Sequence, residues 1–481
     1  MLWNPVHQEY SLRRMLRLRG ERAFGWIYLI CMGVVFPMGI AHAQTKTNPP
    51  NIIFILADDL GYGDLGVYGQ QLIQTPHLDR MAAEGMRFTQ HYAGSAVCAP
   101  SRSVLMTGEH TGHTYIRGNY AWETEGNVPL PENTATVARL LQQQGYHTGI
   151  FGKWGLGGPK SGGGPNSQGF DESLCYLDQR KAHDYYPPHL WKNEEKMLLD
   201  GNVNNGKAMY SHDLFMDGAL QFVRSHTGSP FFLYLPITLP HGRYEGPDQK
   251  PYSDEPWSEN ERHYAAMITR LDGDVGRILA LLRELRIEDN TIVFFSSDNG
   301  AVRHISKRFA SNGVFRGHKT ELYEGGLCIP LLVRWPGQIA PGQVTDHLSG
   351  FQDFLSTACE LAGASIPEHT DGISYLPILQ GKQSQKQHDY LYWEYFEYNY
   401  NWEKPGQVLP RNYLDAQAVR MGVWKGVRTG LYKDPNAKIE LFNLMDDPSE
   451  TTDLSAKYPE IIKQLQILLD TTRNDVPYFK K

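Results

Sequence analysis

Cysteine is scarce in this chain: five in 481 residues, one of them close to the amino terminus. The remaining four, Cys98, Cys175, Cys328 and Cys359, are too few for a disulfide framework at this length, and none stands in the Cys/His spacing of a zinc site. Positive charge is also in short supply. The formal net charge is −7, and the first 43 residues carry five arginines against Glu9 and Glu21, a net of +3 that leaves −10 for the rest. That balance argues against nucleic acid as a partner, and an anionic substrate would need a local cluster of lysine, arginine or metal to overcome the global field. Internal repeats and long low-complexity tracts are missing as well, which excludes solenoids and extended disorder.

The amino-terminal segment is different in kind from the rest. Arg13, Arg14, Arg17, Arg19 and Arg22 precede an apolar run over residues 24–40, and Ala41-His42-Ala43 supplies the small residues that a signal peptidase needs. Residues 1–43 therefore read as a secretory signal peptide, with Met1 or Met15 as initiator and a periplasmic or secreted product. The apolar run is shorter than the ~20 residues of a membrane span, so no stable span is expected after processing.

From residue 51 the chain alternates apolar strands with amphipathic helices. Residues 51–57, 148–151, 230–239, 290–297 and 329–334 read as buried strands, and residues 75–84, 134–144 and 261–286 as helices with apolar positions at helical spacing. The alternation predicts an α/β fold, a large mostly parallel sheet flanked by helices, over residues 48–368. After Asp371-Gly372 the style changes. An aromatic-dense stretch at 390–400, short strands at 418–427 and 438–444, and an amphipathic helix at 461–472 predict a smaller α+β subdomain over residues 369–481.

The chemistry-bearing residues sit where such folds keep their ligands, at the carboxyl ends of strands. Asp58-Asp59 ends the first strand, Lys153 the strand at 148–151, His241 follows the strand at 230–239, and Asp298-Asn299 closes the strand at 290–297 with Lys319 downstream. The stretch Cys98-Ala99-Pro100-Ser101-Arg102 reads as a loop entering a helix, with Pro100 in the first turn. A group at that mouth meets backbone N–H donors and the positive end of the helix dipole, which suits a nucleophile or an anion. A cysteine there could instead be a buried structural thiol. Taken together, three carboxylates and an amide oxygen suit a hard divalent cation, two lysines and an arginine suit a multiply charged oxyanion, and a histidine suits proton transfer. That is machinery for cleaving a phosphate or sulfate ester.

The stretch from Cys98 to Gly108 matches the signature Cys-x-Pro-Ser-Arg-x-x-x-x-Thr-Gly throughout, and the chain resembles the type I formylglycine-dependent sulfatases of the alkaline phosphatase superfamily. The resemblance implies that a maturase oxidises Cys98 to formylglycine (3-oxoalanine), whose hydrate is the nucleophile. It implies Ca²⁺ held by Asp58, Asp59, Asp298, Asn299 and the modified residue 98. It further implies that Arg102 holds that residue, Lys153 and Lys319 bind sulfate oxygens, and His241 protonates the leaving alcohol. One position departs from the pattern. Many members have histidine two residues after the lysine, and this chain has Gly155. His183, His110 and His113 are candidates to replace it. The loop Gln179-Arg180-Lys181-Ala182-His183-Asp184-Tyr185-Tyr186-Pro187 is similar to that of bacterial sulfatases acting on galactose-configured sugars, at the 4-position, which nominates Arg180 and His183 as substrate contacts on a sulfated carbohydrate. The competing readings are a phosphodiesterase or phosphonate monoester hydrolase of the same superfamily, and a silent glycan-binding homologue.

Overall fold

The computed structural model describes residues 49–121, 125–398 and 412–479; the expected signal peptide lies outside them. Eleven strands among the described residues form one sheet: β1 (Asn51–Ala57), β2 (Met86–Tyr92), β3 (His147–Lys153), β4 (Glu172–Tyr176), β5 (His189–Lys192), β6 (Glu195–Leu198), β7 (Phe231–Pro236), β8 (Thr291–Ser297), β9 (Cys328–Arg334), β10 (Gln343–Thr345) and β11 (Ser349–Gly350). Their order is β10-β2-β9-β8-β1-β7-β3-β4-β5-β6, with β11 beside β2. The five strands β8, β1, β7, β3 and β4 run parallel. β9 is antiparallel to both its neighbours, and β5 and β6 finish the far edge as an antiparallel ribbon.

β1 shows why the sheet is covered on both sides. Successive side chains of a strand point to opposite faces, so a strand apolar at every position must be buried twice. Ile53, Ile55 and Ala57 pack into a core with the helices Pro76–Ala83, Ser211–Ser225 and Glu259–Glu284. Ile52, Phe54 and Leu56 pack into a second core with the helices Cys98–Thr107, Val137–Gln143 and Gln352–Ala362. The register pairs Ile55 with both Leu235 and Phe295, so β1, β7 and β8 end level with one another. Two hydrogen bonds past the strand ends, from Asp58 N to Leu239 O (3.0 Å) and from Asp298 N to Ala57 O (3.1 Å), keep the emerging loops side by side.

The long helix starts at Glu259 rather than at the expected residue 261. Its reason is local: Ser258 accepts from Glu261 N, and the Glu261 carboxylate returns to the Ser258 backbone, a capping box that fixes the first turn. The expected strand at 418–427 is two strands, because Gly422 takes a φ of 57° and turns the chain between β13 (Asn412–Met421) and β14 (Trp424–Thr429). With β12 (Leu391–Tyr398) and β15 (Glu440–Asn443) they form an antiparallel sheet in the order β12-β13-β14-β15. One face carries the helix Pro459–Thr471, with Leu465 and Leu469 against Val419 and Leu441. The other face packs Trp393, Ala418 and Phe442 against Tyr92, Val97 and Leu327, and Trp393 Nε1 donates to Ala93 O at 2.9 Å. This small sheet therefore buttresses the segment that enters the Cys98 helix. No helix among the described residues is long and apolar enough to cross a membrane.

Asp64, just beyond the β1 turn, is a buried carboxyl whose Oδ2 accepts from Gly61 N (2.8 Å) and Tyr264 OH, while Oδ1 has no partner. Burial outweighs these hydrogen bonds and pushes its pKa up to about 7. A folded-state pKa above the unfolded value means that the stabilising protonated form is fully present below pH ~4 and lost as pH rises through about 7. Asp64→Asn is accordingly expected to raise the free energy of unfolding at pH 8 by on the order of 1 kcal/mol or more relative to its effect at pH 5. Denaturant titrations at the two pH values check this, and an equal effect at both contradicts it.

Candidate active site

The turn after β1 is held in an uncommon shape. Asp59 has a φ of 64°, a left-handed conformation that disfavours any residue with a Cβ. Two hydrogen bonds from the turn to the end of β8 compensate: Asp59 N donates to Asp298 Oδ1 (3.2 Å) and Leu60 N to Ser297 Oγ (3.0 Å). The result is that Asp58, Asp59 and Asp298 converge, all buried. Cys98 opens the helix Cys98–Thr107, and Ala99 N, which lacks an intrahelical acceptor, donates to Asn119 Oδ1 at 2.8 Å.

Around that centre the side chains interlock. Arg102, fully buried, directs Nε (3.1 Å) and Nη2 (2.7 Å) to Asp298 Oδ2 and Nη1 to Lys153 O (2.8 Å). Lys153 Nζ donates to Asp58 Oδ2 at 2.7 Å. Lys319 Nζ lies 2.7 Å from Asp59 Oδ1, 3.5 Å from Cys98 Sγ and 3.1 Å from His241 Nε2. Cys98 Sγ is 3.5 Å from Asp58 Oδ1. His241 Nε2 is 3.2 Å from Asp59 Oδ2, its Nδ1 donates to Gly242 O, and the Tyr185 hydroxyl fastens the same turn through Thr238 O and His241 O. The His183 ring stacks on His241, with centroids 3.8 Å apart and planes 16° from parallel. Asp59, Cys98, His183, Arg180, His241 and Lys319 line a cavity of about 360 Å³. Asp58, Arg102, Lys153, Asp298 and Asn299 are sealed from solvent.

Burial opposes every charge here, and the neighbours decide which charges persist. For Asp58, burial is outweighed by Lys153, Arg102 and Lys319, which hold its carboxyl below the ordinary range. For Asp298, burial and the adjacent Asp58 carboxylate outweigh Arg102 and push the pKa up to about 6. Burial, then the Asp298 charge, pushes the Cys98 thiol up to about 12. His241 and His183 lie well below the usual imidazole value, first through burial and then through nearby positive charge.

The donor set fits a hard divalent cation. Asp58, Asp59, Cys98 and His241 each offer an atom within 4.8 Å of the others. Asn299 adds the telling detail. Its Nδ2 is spent on Asp59 Oδ1 (2.7 Å) and Gly300 O (3.0 Å), while its buried Oδ1 has no partner among the described residues, an acceptor left over among carboxylates.

The nine residues expected at the catalytic and metal sites thus converge at one rim. The three histidines considered for the Gly155 vacancy divide. His183 faces the cavity. His110 and His113 form a separate cluster with Asp371, stacked at 4.2 Å, with His113 Nδ1 2.9 Å from the carboxylate. His110 Nδ1 accepts from Gly112 N (3.0 Å), so neutral His110 carries its proton on Nε2, which lies 3.8 Å from Asp371 with no hydrogen-bond partner among the described residues; the tie to Asp371 comes from His110 N (2.9 Å). Asn119, Asn127 and Gln179 also line the cavity and escaped the sequence reading, because isolated amides carry no motif.

The family profile for sulfatases matches residues 50–364. The chain belongs to the sulfatase family. It is a sulfuric ester hydrolase of the alkaline phosphatase superfamily. A second profile, N-sulphoglucosamine sulphohydrolase, C-terminal, matches residues 313–475 of this sulfatase. N-acetylgalactosamine-6-sulfatase of Canis lupus familiaris is 31% identical over 482 residues, covering 92% of this sulfatase and 88% of the relative. Arylsulfatase A of Homo sapiens is 32% identical over 487 residues, covering 90% of each. Among solved structures, Ps i-CgsB in complex with k-i-k-neocarrahexaose superposes with a TM-score of 0.76 at 27% identity, covering 90% of this sulfatase and 95% of that chain.

Proposed function

We propose that this sulfatase is exported and removes sulfate from a carbohydrate, with Cys98 encoding a formylglycine. The observation that carries the reading is the setting of Cys98 Sγ, at the first residue of a helix and 3.5 Å from both Asp58 Oδ1 and Lys319 Nζ. A hydrated aldehyde there would supply one hydroxyl to attack sulfur and a second whose deprotonation expels sulfate. A Ca²⁺ ion held by Asp58, Asp59, Asp298, Asn299 and residue 98 would supply positive charge that three carboxylates otherwise cancel.

The chain's own groups do the rest. Lys319 reaches the cavity, where it binds sulfate oxygens, and Lys153, held behind Asp58, adds positive charge that offsets what builds on them. Arg102, through Asp298, fixes the floor on which residue 98 stands. His241 Nδ1–H is committed to Gly242 O, so its Nε2 lone pair faces the Lys319 ammonium, and the proton for the leaving alcohol is held between these two atoms. Arg180 and His183 form the wall that meets the sugar.

The galactose configuration is supported by the Gln179–Pro187 loop and by relatives named N-acetylgalactosamine-6-sulfatase. The loop favours the 4-sulfate and those names the 6-sulfate. Rates on galactose 4-sulfate, galactose 6-sulfate, N-acetylgalactosamine 4-sulfate and N-acetylgalactosamine 6-sulfate decide between them. 4-Nitrophenyl sulfate set against bis(4-nitrophenyl) phosphate and 4-nitrophenyl phenylphosphonate tests the reaction class: faster hydrolysis of the diester or of the phosphonate overturns the sulfatase reading in favour of a phosphodiesterase or phosphonate hydrolase. Chelation with EGTA is expected to lower turnover of the aryl sulfate by about 100-fold or more, with recovery on adding Ca²⁺. Full activity in EGTA contradicts the cation assignment.

A further inference from the structure

Gly155 and Gln179 are a matched pair. Gly155 has a φ of 75°, and a methyl group placed on it would fall 1.9 Å from Gln179 Nε2. The glutamine amide therefore occupies the space that a side chain at position 155 would claim. Gln179 is 6% exposed and lines the same cavity as Cys98, Asp59 and Lys319. Neither its Oε1 nor its Nε2 has a hydrogen-bond partner among the described residues. An amide buried with both ends unsatisfied is costly unless something that enters the cavity completes it.

The segment that carries it is firmly held. Gln179 N donates to Asn127 Oδ1 (2.9 Å), and Asp178 accepts from Lys181 N (2.7 Å) and Arg180 Nη2 (3.0 Å). The amide is thus presented on a fixed backbone rather than left over from a loose loop.

What enters must both accept and donate. An ionised sulfate has only acceptor oxygens, so it satisfies the amide N–H₂ and leaves the amide oxygen without a partner. A sugar hydroxyl satisfies both. This conclusion does not depend on which way the amide is turned, since either orientation presents one donor group and one acceptor atom. Gln179 lines the cavity that Cys98 and Lys319 also line, so the group it meets belongs to the sugar close to the ester.

Resting on the carbohydrate sulfatase reading above, we propose that the Gln179 side chain is a specificity determinant that hydrogen-bonds a sugar hydroxyl near the scissile sulfate, and that Gly155 exists to admit it. The room at position 155 goes to a neutral group that reads the substrate rather than to one that moves a proton.

The test compares two substrates in the matured enzyme: 4-nitrophenyl sulfate, which has no sugar, and whichever of the four sugar sulfates named above wild type hydrolyses fastest. Gln179→Ala and the bulk-preserving Gln179→Leu are expected to lower kcat/KM on the sugar sulfate by about 10–100-fold and to leave the aryl sulfate within about threefold. Gly155→Ala, which pushes the amide aside, should show the same sugar-selective loss together with a lowered unfolding midpoint from the strained backbone at φ 75°, and its sugar-selective part should vanish in the Gln179→Ala background, because both changes remove one interaction. Unfolding midpoints of the two Gln179 variants should stay near wild type. Equal losses on both substrates, or no loss on the sugar, overturn the assignment. Failure of the underlying reading is seen separately, before any variant is made, as wild-type enzyme that hydrolyses the aryl sulfate and no sugar, or neither.

Discussion

Replacing Cys98 by alanine is expected to lower sulfate ester turnover by about 10⁵–10⁶-fold while leaving the unfolding midpoint close to that of wild type, the pattern seen when a covalent nucleophile is deleted. The structural cost is small because the thiol is small and its two polar contacts, to Asp58 Oδ1 and Lys319 Nζ, are both long at 3.5 Å. The helix it opens is secured elsewhere, by Ala99 N on Asn119 and by Val104, Leu105 and Met106 in the second core. The catalytic cost is large because no neighbouring side chain can take its place. The nearest histidines, His241 and His183, are stacked on one another, and His241 Nε2 already faces Lys319 and Asp59. Parallel measurement of kcat on 4-nitrophenyl sulfate and of thermal unfolding checks both halves. Turnover within tenfold of wild type would sink the nucleophile assignment, and it also separates this enzyme from a silent glycan-binding homologue, in which wild type itself is inactive.

The second large effect is expected at Arg102. Arg102→Ala should cost about 3–5 kcal/mol of stability as well as nearly all activity, since removing one member of a buried ion pair leaves an uncompensated charge. The guanidinium is fully buried, meets Asp298 Oδ2 through two nitrogens at 3.1 and 2.7 Å, and reaches the carbonyl of Lys153 at 2.8 Å. Without it, Asp298 keeps the Asp59 N–H at 3.2 Å, its like-charged neighbours and the more distant Lys153, and the ends of β3 and β8 lose their common tie. Arg102→Lys should recover little, because one ammonium cannot match the fork that spans the carboxylate and the carbonyl. Urea unfolding of the purified variants measures the stability term. A loss under about 1 kcal/mol would show that the pair is not the tie described here.

The parts of this fold that were legible in the sequence are those where a single physical pressure dominates. β1 could be read because a strand buried on both faces must be apolar at every position, and the helix at Glu259–Glu284 because its apolar residues recur at helical spacing. β2 could not, since Met86–Tyr92 is half polar and its partners β9 and β10 lie more than two hundred residues away. The ribbon β5–β6 is short and mostly exposed, so it has no hydrophobic pattern to betray it. The hairpin at Gly422 was read as one strand because the flanking residues keep strand character and only the backbone reverses. At the site, charged residues at strand ends were visible, because carboxylates and lysines rarely follow apolar runs without a reason. Gly155 was visible as a departure from the pattern, but its pairing with Gln179 was not, because that contact runs across two loops and neither residue type signals chemistry alone.

The proposed export, maturation and cation binding all converge on one covalent question, the state of residue 98. Mass spectrometry of the peptide that spans Cys98, from protein produced together with a formylglycine-generating maturase, answers it directly. The account predicts the mass of an aldehyde at position 98, trappable with a hydrazine, in the fraction that hydrolyses sulfate esters. A fully active enzyme whose residue 98 is an unmodified thiol, alkylated by iodoacetamide after unfolding, would contradict it.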